Sequence, residues 1–353
     1  MVRIRGLVLI ACLFGTLNQV AVAEVVYQFQ FAFSGPASGP GQLIDPLFVE
    51  SDANNAIYVA SATTDRVEVF DSGGNFIRSI GSPGSGVGQL DFPNGISVDS
   101  QGNVAVVDRF NDRIQVFDSN GVFVRNIGVG GIGPGPGQFG SAVGIDQDSQ
   151  GNYLVGDQAN NRIQIFDSNG TYLREFGTLG TGDGELNFPH GVRVKDNGDI
   201  VVVDYLNERV QVFDEFGNFV MTFGEFGASP GQFDSPIDVV VDSANQFIVS
   251  DRDNNRIQIF DETGQFVSSF GDVDIGFGTL AGPHGLAING NGDLLVTDTA
   301  NDRVLVFNAV AVPEPGSVAV FSFLALLIAV ASVRKNHANG KRALVSSVAA
   351  YRL

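Results

Sequence analysis

Short apolar runs alternate along the chain with polar, glycine-bearing turns, and the whole alternation repeats. Arg66-Val-Glu-Val-Phe-Asp71 returns as Arg113–Asp118, Arg162–Asp167, Arg209–Asp214, Arg256–Asp261 and Arg303–Asn308, in steps of 47, 49, 47, 47 and 47 residues. Self-similarity at a fixed period means one supersecondary unit stacked on copies of itself. In the second copy, Gly95–Asp99, Asn103–Asp108, Arg113–Phe117 and Val122–Ile127 have the length and β-branched or aromatic content of strands. Asp99-Ser-Gln-Gly102 and Asp118-Ser-Asn-Gly121 supply tight turns, in which Asp binds its own backbone and Gly takes positive φ. No unit shows a helical period. The pattern predicts an all-β protein, a six-bladed β-propeller of four-stranded blades.

The ends of the repeat predict how the ring closes. The sixth copy holds three strands, Leu286–Ile288, Leu294–Thr297 and Val304–Phe307, and lacks the fourth. Val25–Phe33 is an orphan strand that runs into Ser34-Gly35, as the fourth strands run into Gly81 and Gly128. The N-terminal strand is therefore expected to complete the last blade and leave no open edge.

The repeat resembles the NHL family of β-propellers. The residues that carry the resemblance are Gly88-Gln89-Leu90 with Pro93 and Gly95, and an Asp-x-x-Asn-x-Arg-Ile/Val-x-Val/Ile-Phe segment. That segment begins at Asp108, Asp157, Asp204, Asp251 and Asp298; the first copy has Ser61 and Thr64 in place of Asp and Asn. The resemblance spans residues 25–308 and implies the fold. It leaves function open, since such propellers serve as scaffolds, binding platforms and enzymes.

Both termini look like addresses. Residues 1–23 have the form of a signal peptide: Arg3 and Arg5, the apolar stretch Leu7–Leu17, and Ala21-Val22-Ala23 before Glu24. Leu9-Ile10-Ala11-Cys12 offers a lipoprotein box as the alternative. The propeller is expected over 24–311. Residues 312–353 hold Val312-Pro313-Glu314-Pro315, an apolar run at 318–333 expected to form a C-terminal transmembrane helix, and a basic tail. That order resembles the PEP-CTERM sorting signal. The resemblance implies an exosortase-type processing partner and export through the inner membrane of a Gram-negative bacterium, to a membrane-anchored or cell-surface location.

Charge narrows the partners. With 20 basic and 39 acidic residues the net charge is −19; residues 24–312 alone carry 13 basic and 38 acidic, a net of −25. Nucleic acid would be repelled. One cysteine leaves no disulfide framework and no cysteine-rich zinc module. Many carboxylates and much of the 45-residue glycine content fall at repeated turn positions, so they record blade architecture.

Chemistry is expected where the repeats differ. The repeated Asp, Asn and Arg should hold loops, and the repeated Phe should pack between blades. Between the repeated Pro and Gly, however, successive copies carry Leu47, Asn94, Val143, His190, Ile237 and His284. Polar residues on alternate blades would place Asn94, His190 and His284 120° apart at one mouth of the central channel. Two imidazoles and an amide there could hold zinc or another divalent metal, or simply satisfy their own turns. The same place in the NHL-like lyases that cleave peptidyl-α-hydroxyglycine carries three metal-binding histidines, which implies a metal role for His190 and His284 and leaves Asn94 as a departure. Arg109, Tyr205 and Arg252, with Gln158 and Thr299, follow the repeated Asp on the same face and could orient a carboxylate or acidic sugar, or be ordinary exposed loop residues. Asp272-Val-Asp274-Ile-Gly276 and Asn289-Gly-Asn291-Gly-Asp293 offer oxygen ligands for calcium but lack the spacing of an EF-hand. No nucleophile elbow, phosphate loop or paired catalytic carboxylates are present. Two functions follow: an exported module that binds an extracellular protein or polysaccharide, or a metal-dependent lyase or hydrolase resembling peptidylglycine amidating lyase.

Overall fold

The structure, a computed structural model, describes residues 24–312 apart from 275 and 277. The signal peptide, the transmembrane helix and the sorting signal lie outside the described residues. Val25–Val310 form one compact unit.

Six four-stranded antiparallel sheets make six blades. Strand β1 (Glu24–Phe33) precedes the first complete blade, β2 (Pro46–Ser51), β3 (Ile57–Ser61), β4 (Arg66–Phe70) and β5 (Phe76–Ile80). The second blade is β6 (Pro93–Val98), β7 (Val104–Asp108), β8 (Arg113–Phe117) and β9 (Phe123–Ile127). Strands β10–β13 lie between Ala142 and Phe176, β14–β17 between Pro189 and Phe223, and β18–β21 between Pro236 and Phe270. The last blade is β22 (Pro283–Ile288), β23 (Leu294–Asp298) and β24 (Arg303–Val312), with β1 as its outer strand. The N-terminal strand thus closes the ring, as the repeat arithmetic requires. Three bonds from the last blade seal it: Asp302 Oδ1 accepts the Asp45 N–H (2.9 Å), and the Thr297 and Thr299 hydroxyls donate to the Leu47 and Pro46 carbonyls (2.6 and 2.7 Å).

The innermost strands begin two residues earlier than the sequence pattern suggests, at Pro93 rather than Gly95. A register shift between Pro93 and Ile96 is the reason: Pro93 pairs with Asp108 across a bulge that period-2 alternation cannot reveal.

The repeated polar residues are structural, and the bonds are specific. Buried Asp108 accepts the Asp91 N–H (2.7 Å), Asn111 Nδ2 (2.9 Å) and Arg113 Nε (2.7 Å). Arg113 then donates to the Gly86 and Gln89 carbonyls, so one carboxylate ties the loop arriving from the previous blade to the second and third strands. Gln115, which sequence reasoning passed over, bridges Asp108 and the Gln89 carbonyl. The repeated Phe70, Phe117, Phe166, Phe213, Phe260 and Phe307 are all buried. Turn aspartates behave as expected: Asp99 Oδ1 accepts the Gln101 and Asn103 N–H groups.

In the first blade Ser61 stands for the aspartate, its Oγ accepting the Ile44 N–H at 3.0 Å. Glu68 stands for the glutamine; its Oε2 accepts the Gly41 N–H and the Ser79 hydroxyl, while its buried Oε1 has no partner. Burial accordingly pushes the Glu68 carboxyl up.

Candidate functional site

The site is built by the loops that enter each innermost strand. The residue before that strand is left-handed in every blade: Asp45, Phe92, Ser141, Phe188, Ser235 and Gly282, with φ between 49° and 63°. Such a conformation is uncommon outside glycine and unusual for phenylalanine. Side chains from the preceding blade enforce it. Asp65 and Asn161 each accept an N–H, from Phe92 and Phe188 respectively, at 2.9 Å. Two residues after the turn, Asn94, His190 and His284 line the channel mouth.

One cavity of about 450 Å³ occupies that mouth. Its lining brings together all six residues that the sequence singles out: Asn94, His190 and His284 with Arg109, Tyr205 and Arg252. Gln158, Thr299, Phe92 and Phe188 also border it, as do the apolar Leu47 and Ile237 of the alternate blades. Asn94, His190 and His284 are buried at 1%, 6% and 7% exposure. The two imidazoles lie edge to face, 5.3 Å between centroids, and Tyr205 is 5.8 Å from His190.

Phe48 is the feature that sequence reasoning missed. It stacks on His190 at 5.9 Å and meets His284 edge-on at 5.2 Å. At its place in the repeat, Gly95, Gly144, Gly191 and Gly285 occur, and a Cβ at Gly95 or Gly144 would stand 2.2–2.3 Å from the next blade's carbonyl oxygen. Only Phe48 and Asp238 break that glycine pattern. The broken triplet Pro46-Leu-Phe48 was the available signal.

Polar atoms at the mouth are conspicuously unpaired. Of eight buried side-chain atoms lacking a hydrogen-bond partner among the described residues, four are Asn94 Oδ1, Asn94 Nδ2, His190 Nδ1 and His284 Nδ1. An orphaned buried polar atom costs about 1–3 kcal/mol, and the three residues that carry these four atoms all line the one cavity. Burial holds both imidazoles neutral, His190 down to about 3 and His284 well below its ordinary value; Arg109 and Arg252 add to the effect on both. Arg109 Nε donates to Ser141 Oγ (3.2 Å) and its terminal nitrogen to Gln158 Oε1 (3.4 Å). Arg252 is half exposed, its nearest carboxylate Asp253 at 3.8 Å.

This donor set fits a divalent cation poorly. Two guanidinium groups bias the cavity toward anions, and among the described residues no group of three His, Cys, Asp or Glu is arranged to hold a metal ion. The single carboxylate in the lining, Asp45, is exposed, and its Oδ2 already accepts the Thr63 hydroxyl at 2.6 Å. The two loops weighed for calcium are occupied with their own turns: Asp274 Oδ1 accepts the Gly276 and Gly278 N–H groups, and Asn289 Oδ1 those of Asn291 and Asp293.

At the far mouth, Arg193 bridges Asp238 (2.9 Å) and the Leu286 carbonyl (2.9 Å), with Glu50 and Asp146 nearby. Burial pushes Glu50 up to about 7 and Asp238 up to about 6 despite the arginine.

Comparison with known proteins agrees with this architecture. A family described as a six-bladed β-propeller matches residues 49–127, and the NHL repeat matches 186–213, 233–260 and 280–307. No curated protein matches the sequence. Among solved structures, a virginiamycin B lyase from Staphylococcus aureus is similar with 14% identity and a TM-score of 0.55, over 82% of this chain and 89% of that one. A gluconolactonase from Xanthomonas campestris is similar with 13% identity and a TM-score of 0.59, over 82% and 99%. An auxiliary nutrient binding protein from Bacteroides thetaiotaomicron has 12% identity and a TM-score of 0.59, over 81% and 77%. At such identities the likeness is one of fold.

Proposed function

We propose that this NHL-repeat propeller is an exported, surface-tethered binding module whose channel mouth captures a polar group of an extracellular polysaccharide or protein. The observation that carries the reading is the set of four unpaired buried polar atoms on Asn94, His190 and His284, three residues that line one cavity. A buried group without a partner is costly, and a ligand that pairs with it recovers that cost on binding. Export and tethering rest on the signal-like residues 1–23 and the apolar and basic order of residues 312–353. Strand polarity is compatible with a tether. Arg303 pairs with Asp298 at the cavity end and Phe307 with Leu294 at the other, so β24 runs away from the cavity.

The test is retention of the full-length protein on extracellular matrix material, wild type against Asn94→Leu, His190→Leu and His284→Leu. Leucine is a tolerable choice because Leu47 occupies the equivalent position in the first blade. Retention should fall by about tenfold or more in each variant. Unchanged retention would place the binding surface elsewhere.

A second reading, a lyase or hydrolase acting at the same mouth, is favoured by one observation: two neutral imidazoles 5.3 Å apart beside Arg109 and Arg252. Neutral imidazole can accept a proton while an arginine steadies a developing anion. An imidazole held far below its usual basicity is a weak base at neutral pH, which ranks this reading second. Turnover of an amidated-peptide precursor or a lactone, lost in His190→Leu and His284→Leu, would reverse the ranking.

A further inference from the structure

We infer that the group captured at the channel mouth is a sugar residue bearing a single carboxylate, with Arg109 and Arg252 on the carboxylate and Asn94, His190 and His284 on the hydroxyls. The inference rests on the binding reading above and specifies the chemistry of its ligand.

Three features of the cavity argue for it. The first is sign. Arg109 and Arg252 both act on the imidazoles, and the one lining carboxylate, Asp45, sits exposed at the rim with an oxygen engaged by Thr63. An anion is thus favoured locally, and arginine can engage a carboxylate through two parallel N–H bonds. The second is the mixture of donors and acceptors. A neutral imidazole offers one of each, and the Asn94 amide offers an acceptor on Oδ1 and donors on Nδ2. A sugar hydroxyl both donates and accepts, so it matches such a set; a metal ion uses acceptors alone. The third is the wall. Phe92 and Phe188 border the cavity in left-handed conformations fixed by Asp65 and Asn161, and Phe92 stacks on exposed Phe110 at 4.7 Å. Tyr205 completes the aromatic side against His190. Flat apolar faces beside convergent polar groups suit a pyranose ring, whose C–H faces are apolar and whose edges carry hydroxyls.

Net charge restricts the ligand further. At −19 the protein repels an extended polyanion at long range, while the mouth attracts one negative group at short range. A lone uronate, or a uronate on an otherwise neutral chain, satisfies both conditions.

Calorimetric titration of the full-length protein with D-glucuronate, its methyl ester and zinc chloride tests the proposal. Glucuronate should bind once per chain, and the ester should bind about tenfold more weakly or worse. Arg109→Gln and Arg252→Gln should each weaken glucuronate about five- to tenfold and leave the ester unchanged; raising salt from about 50 to about 500 mM should narrow the gap between acid and ester. Both arginines lie outside the buried repeat network, so matched thermal melts will establish that the variants are folded. Equal affinity for acid and ester overturns the proposal, as does no binding of either, or stoichiometric zinc lost in His190→Leu. The matrix-retention assay is read independently. Retention that depends on Asn94, without any glucuronate affinity, rejects the ligand class and leaves the binding reading standing; loss of both rejects both.

Discussion

Replacing Asp251 with alanine probes the device that makes each blade a rigid unit. Asp251 is fully buried and accepts the Asp234 N–H (2.8 Å), Arg256 Nε (2.6 Å), Asn254 Nδ2 (3.0 Å) and Gln258 Nε2 (3.0 Å). Removing it does not strand every donor equally. Arg256 keeps the Ala228, Ser229 and Gln232 carbonyls, Gln258 keeps Gln232 and Asn254 keeps Gly227. The Asp234 N–H loses its acceptor, and the Arg256 charge is left 6% exposed without its counter-ion. Breaking such a pair from one side costs about 3–5 kcal/mol, because the remaining buried charge is uncompensated. At about 2–4 °C per kcal/mol for a domain of this order, the melting temperature should fall by roughly 6–20 °C. Thermal and urea unfolding of the full-length protein, followed by circular dichroism, would measure it. A loss below about 1 kcal/mol would refute the argument that the repeated aspartate is the structural hub of its blade.

Other outcomes follow from the same bonds. Glu68→Gln should stabilise the protein by about 1–2 kcal/mol at pH 8, since a glutamine amide can donate to the Gln42 carbonyl as Gln115 donates to Gln89 (2.6 Å); urea unfolding that shows a loss would contradict this. Deleting Val25–Phe33 removes the strand whose Tyr27 and Phe29 pack between the fifth and last blades and whose Phe31 and Phe33 pack between the last and first, and should abolish cooperative unfolding. A truncated protein that melts like wild type would disprove ring closure by β1. For Glu50, raised to about 7 in the fold from 4.5, the folded state holds its proton more tightly, so its stabilising contribution is complete below pH 4.5 and is lost as pH rises toward 7. Glu50→Gln should therefore flatten the stability profile over that interval, and an unchanged slope would show that Glu50 titrates normally.

Most of the architecture was written in the repeat. The 47-residue step gave six blades, and the missing fourth strand beside Val25–Phe33 gave the closure. The alternation of Asn94, His190 and His284 with Leu47, Val143 and Ile237 pointed to the mouth, because variation inside a strict repeat stands out against it. What escaped was mostly interaction across blades. Gln115 repeats as faithfully as Asp108, yet its partners come from the incoming loop, and nothing local announces them. The left-handed Phe92 and Phe188 carry no glycine or asparagine signal, since the side chains of the preceding blade impose their conformation. The far-mouth cluster of Arg193, Asp238, Glu50 and Asp146 draws on four blades at two positions of the repeat. The sign of the field around the histidines was equally hidden, because Arg109 and Arg252 belong to other blades than His190 and His284.

The central claim is that the buried imidazoles at the channel mouth stand neutral, with both Nδ1 atoms unpaired, until a ligand meets them. Nitrogen-15 NMR of the histidine side chains, recorded from pH 4 to 8 with and without matrix material, addresses it directly. His190 and His284 should stay neutral across that range in the free protein, and the resonances of both Nδ1 atoms should shift when the ligand is added. Titration of either ring near its ordinary pKa, or Nδ1 resonances indifferent to the matrix, would contradict the account.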